Sequence, residues 1–248
     1  MWAILSGIEG NLAAYEAVLA DLKRQRASVT ELYILGDVIG VNPESNRVIQ
    51  RLQSPKAREL KPQVCQGWWE EQLLILHGLG KTDEPTALID RYGIAMTKTL
   101  WDAVDRSHLP WLRSLDFGFF ELDCLLIHGS TVGVEDELNP ETPPVAMIDR
   151  LLRMDANYLF CGRSGLTFEY EIAAGSLTSE VMTLVGVASP LENRLPQPRT
   201  ATLRPRKVIG VGNVGRIPGH ATYTLYQPNT GKIQFQTVRY GAARGFQS

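Results

Sequence analysis

The sequence has no apolar run approaching the roughly 18 residues that a membrane-crossing helix needs, and its opening "MWAILSG" places no basic stretch ahead of an apolar one. Neither membrane insertion nor export is expected, and the cytoplasm is the expected location. A charge excess is also missing: 25 Lys and Arg stand against 27 Asp and Glu, so no broad basic face points to nucleic acid. Cysteine is scarce and odd in number. Cys65, Cys124 and Cys161 are far apart in strand-like stretches, which predicts buried free thiols rather than disulfides. No close Cys or His pair gives the spacing of a zinc site. A P-loop, a nucleophile elbow, an internal repeat and a low-complexity tract are all absent, which removes the best-marked phosphate-cradle and serine-hydrolase signatures. What remains is an ordinary globular composition, 44% apolar and 21% charged over 248 residues. That is enough chain to bury a substantial core. A single domain over residues 1–248 is expected.

Strand-like and helix-like runs alternate over the first two-thirds. "WAILS" is followed by "NLAAYEAVLADLKRQRA" with apolar residues at helical spacing, then by "ELYILGD" and "PESNRVIQRLQ", a βαβα beginning. "KPQVCQG" supplies another short strand, "WWEEQLLILHGLG" opens a helix, and residues 84–115 read as helices broken around Gly93 and Pro110. "DFGFFELD" and "CLLIHGS" are strands meeting at Leu122–Asp123, "PPVAMIDRLLRMDA" is a helix with Pro near its start, and "NYLFCG" is a buried strand. After Gly162 the chain turns mainly to strands: "TSEVMTLVGVA", "RKVIGVG", and "ATYTLYQPNTGKIQFQTVRY" with a hairpin turn at Asn229-Thr230-Gly231. Residues from about 189 to 207 are rich in Pro and Arg and are expected to form a surface loop, with Arg194, Arg199, Arg204, Arg206 and Lys207 solvated or facing an anionic partner. An α/β front with a β-rich tail implies two packed sheets with helices outside.

Several of these strands end in glycine beside a polar or aromatic residue: Gly7 with Glu9 and Asn11, Gly36-Asp37, Gly67-Trp68-Trp69-Glu70, His128-Gly129, Gly162-Arg163-Ser164-Gly165 and Gly212-Asn213. In an α/β sheet the carboxyl ends of neighbouring strands converge on one crevice, so these scattered residues are expected to share a site.

In this order and spacing, "ILSGIEGNLAAYEAVLADL", "LYILGDVIGVNPESNRVI", "VCQGWWE", "LLIHGS", "LFCGRSGLTF" and "VIGVGNVGRIPGHATYTLY" resemble the motifs of the calcineurin-like metallophosphoesterases, in particular their small bacterial and archaeal phosphodiesterase branch. The resemblance spans nearly the whole chain. It implies a four-layer α/β/β/α sandwich of two mixed β-sheets flanked by helices. It also implies a hydrolytic chemistry in which two divalent metals, bridged by the aspartate of the second motif, activate a water and stabilise the phosphoryl transition state with a nearby histidine.

Most of the ligands which that chemistry needs are replaced. At the first motif's Asp-x-His, Gly7 stands for the aspartate and Glu9 for the histidine. Trp68 and Trp69 stand for a ligating asparagine and an acid/base histidine, and Arg163 and Gly165 for two further histidines. Asp37, at the bridging position, and His128 match the family in type. A guanidinium beside a dication repels it, so Arg163 is expected to replace a metal by pairing bidentately with Asp37 or Glu9. No metal is then expected, and the leading expectation is a catalytically degenerate protein that binds a nucleotide-like or phosphate ligand or a protein partner, including a second copy of itself. The alternative is a hydrolase with one divalent ion (Mn, Fe or Zn) held by Glu9, Asp37 and His128.

Individual residues carry paired readings. Trp68 and Trp69 fill the volume left by the ions, or form a stacking platform for a nucleobase whose phosphate Arg163 reaches. His128 is hydrogen-bonded to Asp37 or ligates a metal. Asn11 caps the first helix or braces the turn, and Asn213 and His220 line the cleft or belong to a loop. His77 and His108 fall in the helical cover as surface or packing residues.

Overall fold

The computed structural model describes residues 1–25, 29–80, 82, 84–172, 175–179, 199–203 and 205–241. One mixed five-stranded sheet contains β1 (Trp2–Leu5), β2 (Glu31–Leu35), β3 (Gln63–Cys65), β11 (His220–Gln227) and β12 (Lys232–Arg239), in the order β12-β11-β1-β2-β3. The second holds β4 (Gly118–Glu121), β5 (Cys124–Ile127), β6 (Tyr158–Cys161), β7 (Thr167–Ile172) and β10 (Arg206–Val211), in the order β4-β5-β6-β10-β7. A separate ribbon pairs β8 (Gly175–Ser179) with β9 (Arg199–Leu203). The helices are α1 (Leu12–Arg24), α2 (Ser45–Gln53), α3 (Trp68–Leu76), α4 (Thr86–Tyr92), α5 (Ile94–Ala103), α6 (Leu109–Arg113) and α7 (Pro144–Leu152).

Side-chain alternation explains why the central strands β1, β2, β5, β6 and β10 are almost continuously apolar. From β1, Trp2 and Ile4 point into the layer between the sheets, with Tyr33 and Leu35 of β2 beside them. Cys124 and Leu126 of β5, Phe160 of β6, and Ile209 and Val211 of β10 meet them from the second sheet. The intervening residues face the helices: Ala3, Leu5, Leu32 and Ile34 pack under the helices of the first sheet, while Leu125, Ile127, Leu159 and Val208 pack against Met147 and Leu151 of α7. A strand buried on both faces has no polar side to show, so period-two patterning disappears and the run reads as hydrophobic throughout. The four layers, helix, sheet, sheet and helix, follow from two sheets that each bury both faces.

The chain departs from expectation in two places. Arg199 and its neighbours through Leu203 form β9, and Arg206 and Lys207 open β10 rather than lying in a surface loop. The Arg206 guanidinium donates there to the Ala156 carbonyl and to the Asp155 carboxylate at 2.6 Å, with its Nε left without a partner, and Lys207 Nζ reaches Glu169 and Glu171. Arg194, Arg204 and most of the strand expected over 178–188 lie outside the described residues. Pro110 does not break a helix; it sits in the first turn of α6, where a missing N–H costs nothing, and the interruption comes earlier, at Val104. The break at Gly93 and the turn at Leu122–Asp123 fall where expected.

The carboxyl ends of β1, β2 and β3 are held together beyond their ladder. Gly7 N donates to Gly36 O at 3.2 Å, Glu9 N to Asp37 O at 2.9 Å and Gly10 N to Val38 O at 2.9 Å, so two loops continue the parallel pairing after the strands have ended. The β2 and β3 loops approach so closely that a Cβ on Gly36 would lie 2.3 Å from Gly67 Cα. Only glycine permits that contact.

Candidate functional site

Asp37 is the centre on which the loops converge. It follows β2 with φ of 52°, an unusual conformation for a residue with a side chain, and it is fully buried. Its Oδ1 accepts from Trp69 N at 2.9 Å. Around Oδ2 lie Arg216 Nη2 at 3.1 Å, His128 Nε2 at 3.3 Å and Arg163 Nη1 at 3.8 Å. Burial pushes the Asp37 carboxyl up, but His128 and the two guanidiniums outweigh it and hold it well below the usual carboxylate range.

The bidentate pairing expected of Arg163 is made by Arg216. Its Nε donates to Glu9 Oε1, its Nη2 to Asp37 Oδ2, and its Nη1 to the Arg163 carbonyl at 3.0 Å. One guanidinium thereby bridges two carboxylates and the backbone of a third loop. Burial depresses Arg216 and its two carboxylate partners more than restore it. Glu9, at φ of 49°, is raised by burial against the pull of Arg216. Arg163, 4% exposed, sits too far from Asp37 for a hydrogen bond; its guanidinium carbon lies 4.5 Å over the Trp68 ring, where a partly desolvated cation is attracted by the indole face. Burial lowers its pKa, and its Nε has no hydrogen-bond partner in the structure.

Trp68 and Trp69 are 2% and 6% exposed. They meet edge to face at 4.9 Å, and Trp69 stacks on Tyr92 at 5.4 Å. With Arg163 over one indole and Tyr92 on the other, the rings pack in the core rather than offering open faces to a nucleobase. His128 is also fully buried. Its Nδ1 lies 2.7 Å from Leu35 O, an acceptor only, so Nδ1 carries the ring proton in the neutral form. The expected hydrogen bond to Asp37 is a 3.3 Å contact without hydrogen-bond alignment, and Nε2 is left unpartnered.

Asn11 does both things expected of it: its Oδ1 accepts from Ala14 N at 3.0 Å as the cap of α1, and its Nδ2 donates to Gly215 O and Tyr240 Oη. Asn213 is buried at the cleft, donating to Gly165 O at 2.8 Å, with its Oδ1 unpartnered. His220 is exposed at the start of β11, 3.4 Å from the Pro218 carbonyl, and does not line the cluster. His77 stacks on Trp101 at 3.9 Å, and His108 ends a short 3₁₀ turn.

Two residues carry more of this site than the sequence indicated. Glu70, on the first turn of α3, is fully buried and accepts from Asp37 N at 2.8 Å, Gly67 N at 2.8 Å and Ile39 N at 3.0 Å. It fixes the loop that holds Asp37. Arg216 lies in "VGNVGRIPGH", where no local pattern marks it. Two glycines do mark the space it occupies: a Cβ on Gly165 would lie 2.7 Å from Arg216 Nη1, and one on Gly7 would lie 3.6 Å from Arg216 Nε.

The donor set does not fit a dimetal centre. Two hard dications a few ångströms apart need several anionic or imidazole ligands to offset their charge. Here the two carboxylates are bridged by a guanidinium, and among the described residues no group of three or more His, Cys, Asp or Glu is arranged to hold an ion.

No protein-family model and no curated protein matches the sequence. Solved structures do resemble it. A hypothetical protein of Pyrococcus horikoshii OT3 aligns over 97% of this chain and 89% of its own, with a TM-score of 0.67 at 21% identity. A metallophosphoesterase from Sphaerobacter thermophilus aligns over 97% and 88%, with a TM-score of 0.62 at 19% identity. Two mixed five-stranded sheets flanked by helices are thus the metallophosphoesterase fold, and likeness at these identities speaks to the fold alone.

Proposed function

We propose that this chain is a metallophosphoesterase-fold protein that has exchanged a dimetal centre for a guanidinium, and that it works by binding a protein partner rather than by hydrolysing a phosphoester. The observation that carries this reading is the convergence on Arg216. Gly7 and Gly165 stand where the resembling family has a ligating aspartate and histidine, and both face its guanidinium; Glu9, in the place of another histidine, pairs with it. Three altered positions and one cation make a single compensated arrangement. A dication brought to the same place would meet a fixed positive charge.

The choice of partner rests on what the cluster leaves available. Asp37 and Glu9 engage Arg216, and the faces of Trp68 and Trp69 are occupied, so little remains for a phosphate or a base. Exposed apolar side chains lie in the same segments: Tyr92 on Trp69, Leu166 after Gly165, and Ile217 after Arg216. Their removal from water favours a protein surface, a second copy included.

Purification with Mn²⁺ present, followed by metal analysis and an assay of bis-p-nitrophenyl phosphate hydrolysis for wild type and Asp37→Asn, tests the main claim. The expected result is substoichiometric metal and no hydrolysis that depends on Asp37. Stoichiometric metal, with activity abolished by the substitution, would overturn it in favour of a mononuclear hydrolase built from Glu9, Asp37 and His128. One observation speaks for that second reading: a backbone carbonyl holds His128 Nδ1 and leaves Nε2 unpartnered, the posture of a ligating imidazole. Saturable quenching of tryptophan emission by a nucleotide would move the binding reading from a protein to a small anion.

A further inference from the structure

The sequence holds no Asp or Glu after Glu192, while Lys and Arg continue to Arg244. In the fold, Arg206 and Lys207 are matched by Asp155, Glu169 and Glu171, and Arg216 by Glu9 and Asp37. Lys232 and Arg239, at the two ends of β12, have no carboxylate partner among the described residues. β12 is also the outermost strand of the first sheet, and no strand among the described residues lies beyond it. Proteins guard such an edge by keeping it short or by breaking it with prolines and bulges. Here eight residues run in unbroken antiparallel register with β11 and contain no proline. Tyr240 N donates to Gly219 O at 3.0 Å, and bonded and open pairs alternate from there along an antiparallel ladder. Val238, Gln236 and Gln234 therefore bond inward to β11, while Phe235, Thr237 and Arg239 turn their N–H and C=O groups outward. Phe235 shares the face that carries Ile233 into the layer between the sheets, yet it is 40% exposed.

We infer that β12 takes up an extended, acidic peptide segment of a partner protein as a sixth strand of the first sheet. The outward N–H and C=O groups supply the main-chain hydrogen bonds of strand addition. Lys232 and Arg239 stand seven residues apart, about 23 Å along the strand and on opposite faces of the sheet, so they select a segment with a carboxylate near each end. Between them, an apolar residue of the added strand covers Phe235 as a cross-strand neighbour. A second copy of β12 is the poorer occupant, because it brings two more cations and no anion to the same edge. This surface contains no residue of the Arg216 cluster, and the inference holds whether that cluster binds a partner or hydrolyses an ester.

Fluorescence anisotropy of the full chain with two labelled octapeptides tests the assignment, one with Glu at both ends and alternating Val and Thr between, the other with Lys at both ends. Saturable binding of the Glu-ended peptide is expected, with the Lys-ended one weaker by about tenfold or more. The double variant Lys232→Gln/Arg239→Gln changes two exposed positions, and it is expected to bind the Glu-ended peptide about tenfold less tightly, a loss of the size two exposed charge pairs supply. Thr237→Pro removes an outward N–H and leaves the ladder to β11 intact, since an edge strand accepts proline on its solvent side; binding is expected to vanish with the melting temperature kept, and should the melting temperature fall, the charge variant decides alone. Equal binding of the two peptides, no saturable binding of the Glu-ended one, or an affinity untouched by the charge variant would each overturn the inference. So would displacement of the peptide by oligothymidylate as readily as by its own unlabelled form, which would make the edge a general polyanion site, or self-association of the chain that the peptide leaves unchanged and Thr237→Pro abolishes, which would give the edge to a second copy.

Discussion

Arg216 is the side chain on which the charge balance of the cleft depends. Its guanidinium donates to both Glu9 and Asp37, and Asp37 has no water to fall back on. Replacing it by Met leaves two carboxylates in one partly buried place, so Arg216→Met is expected to lower the unfolding free energy by about 2–3 kcal/mol in a urea titration. Adding Asp37→Asn to that variant should recover part of the loss, since it removes the stranded charge rather than a second contact. Glu70 gives the site a pH dependence of opposite sign to that of Asp37. Burial first, then the Asp37 charge, push Glu70 from its ordinary 4.5 up to about 7, against three backbone N–H donors. A native carboxyl that holds its proton more tightly than the unfolded chain contributes stability fully below pH 4.5, and that contribution is lost as the pH rises through 7. Asp37, depressed from 3.8, contributes above that value and loses its contribution as the pH falls further. Stability is therefore expected to be greatest near pH 4–5 and to decline by on the order of 3 kcal/mol toward pH 8. In Glu70→Gln the alkaline slope should flatten, at a lower stability throughout, because an amide N–H₂ then faces one of the backbone donors. Asp37, His128, Glu9 and Arg163 were legible in the sequence because each lies beside a glycine where a strand ends. Arg216 was not, because its partners are hundreds of ångströms of extended chain away and nothing beside it in sequence announces them.

Elements were easier to read than their boundaries. Strands buried on both faces write themselves as apolar runs, and α1 announces itself through a cap and a helical stripe of Tyr15, Val18 and Leu19. The misplaced segment at 199–207 shows what such reading lacks. Arg206 is a buried strand residue whose charge is met by Ala156 O and Asp155, outside its own strand, so its composition suggests solvent while its position is internal. Asn11 belongs to this scale too, since it caps α1 and also ties the helix start to Gly215 and Tyr240. Asn11→Ala is expected to cost about 1–2 kcal/mol in urea unfolding, more than Asn11→Gly, because the cap itself tolerates glycine. A cost near zero would mean that the cap and its two cross-links are replaced by water without loss.

For the molecule as a whole, the guanidinium reading separates stability from metal supply. A resident ion stabilises the folded state by mass action and makes the melting temperature depend on its concentration. Here EDTA and added Mn²⁺ are each expected to leave Tm unchanged in differential scanning calorimetry; a clear fall with EDTA, restored by Mn²⁺, would count against that reading. The sandwich itself was legible because alternating strands and helices followed by a β-rich tail admit few layered arrangements.

The contact between Arg216 and Glu9 joins residues 207 positions apart, and β1 lies between β2 and the late strand β11. During synthesis the first carboxylates emerge long before the cation that neutralises them, so the loops after β1 and β2 cannot close their cleft at low cost until residue 216 has left the ribosome. A chain ending before residue 216 would be left with an unpaired sheet edge and an uncompensated acidic crevice. Closure of the crevice between the first loops is thus tied to the arrival of a residue from the far side of the sheet.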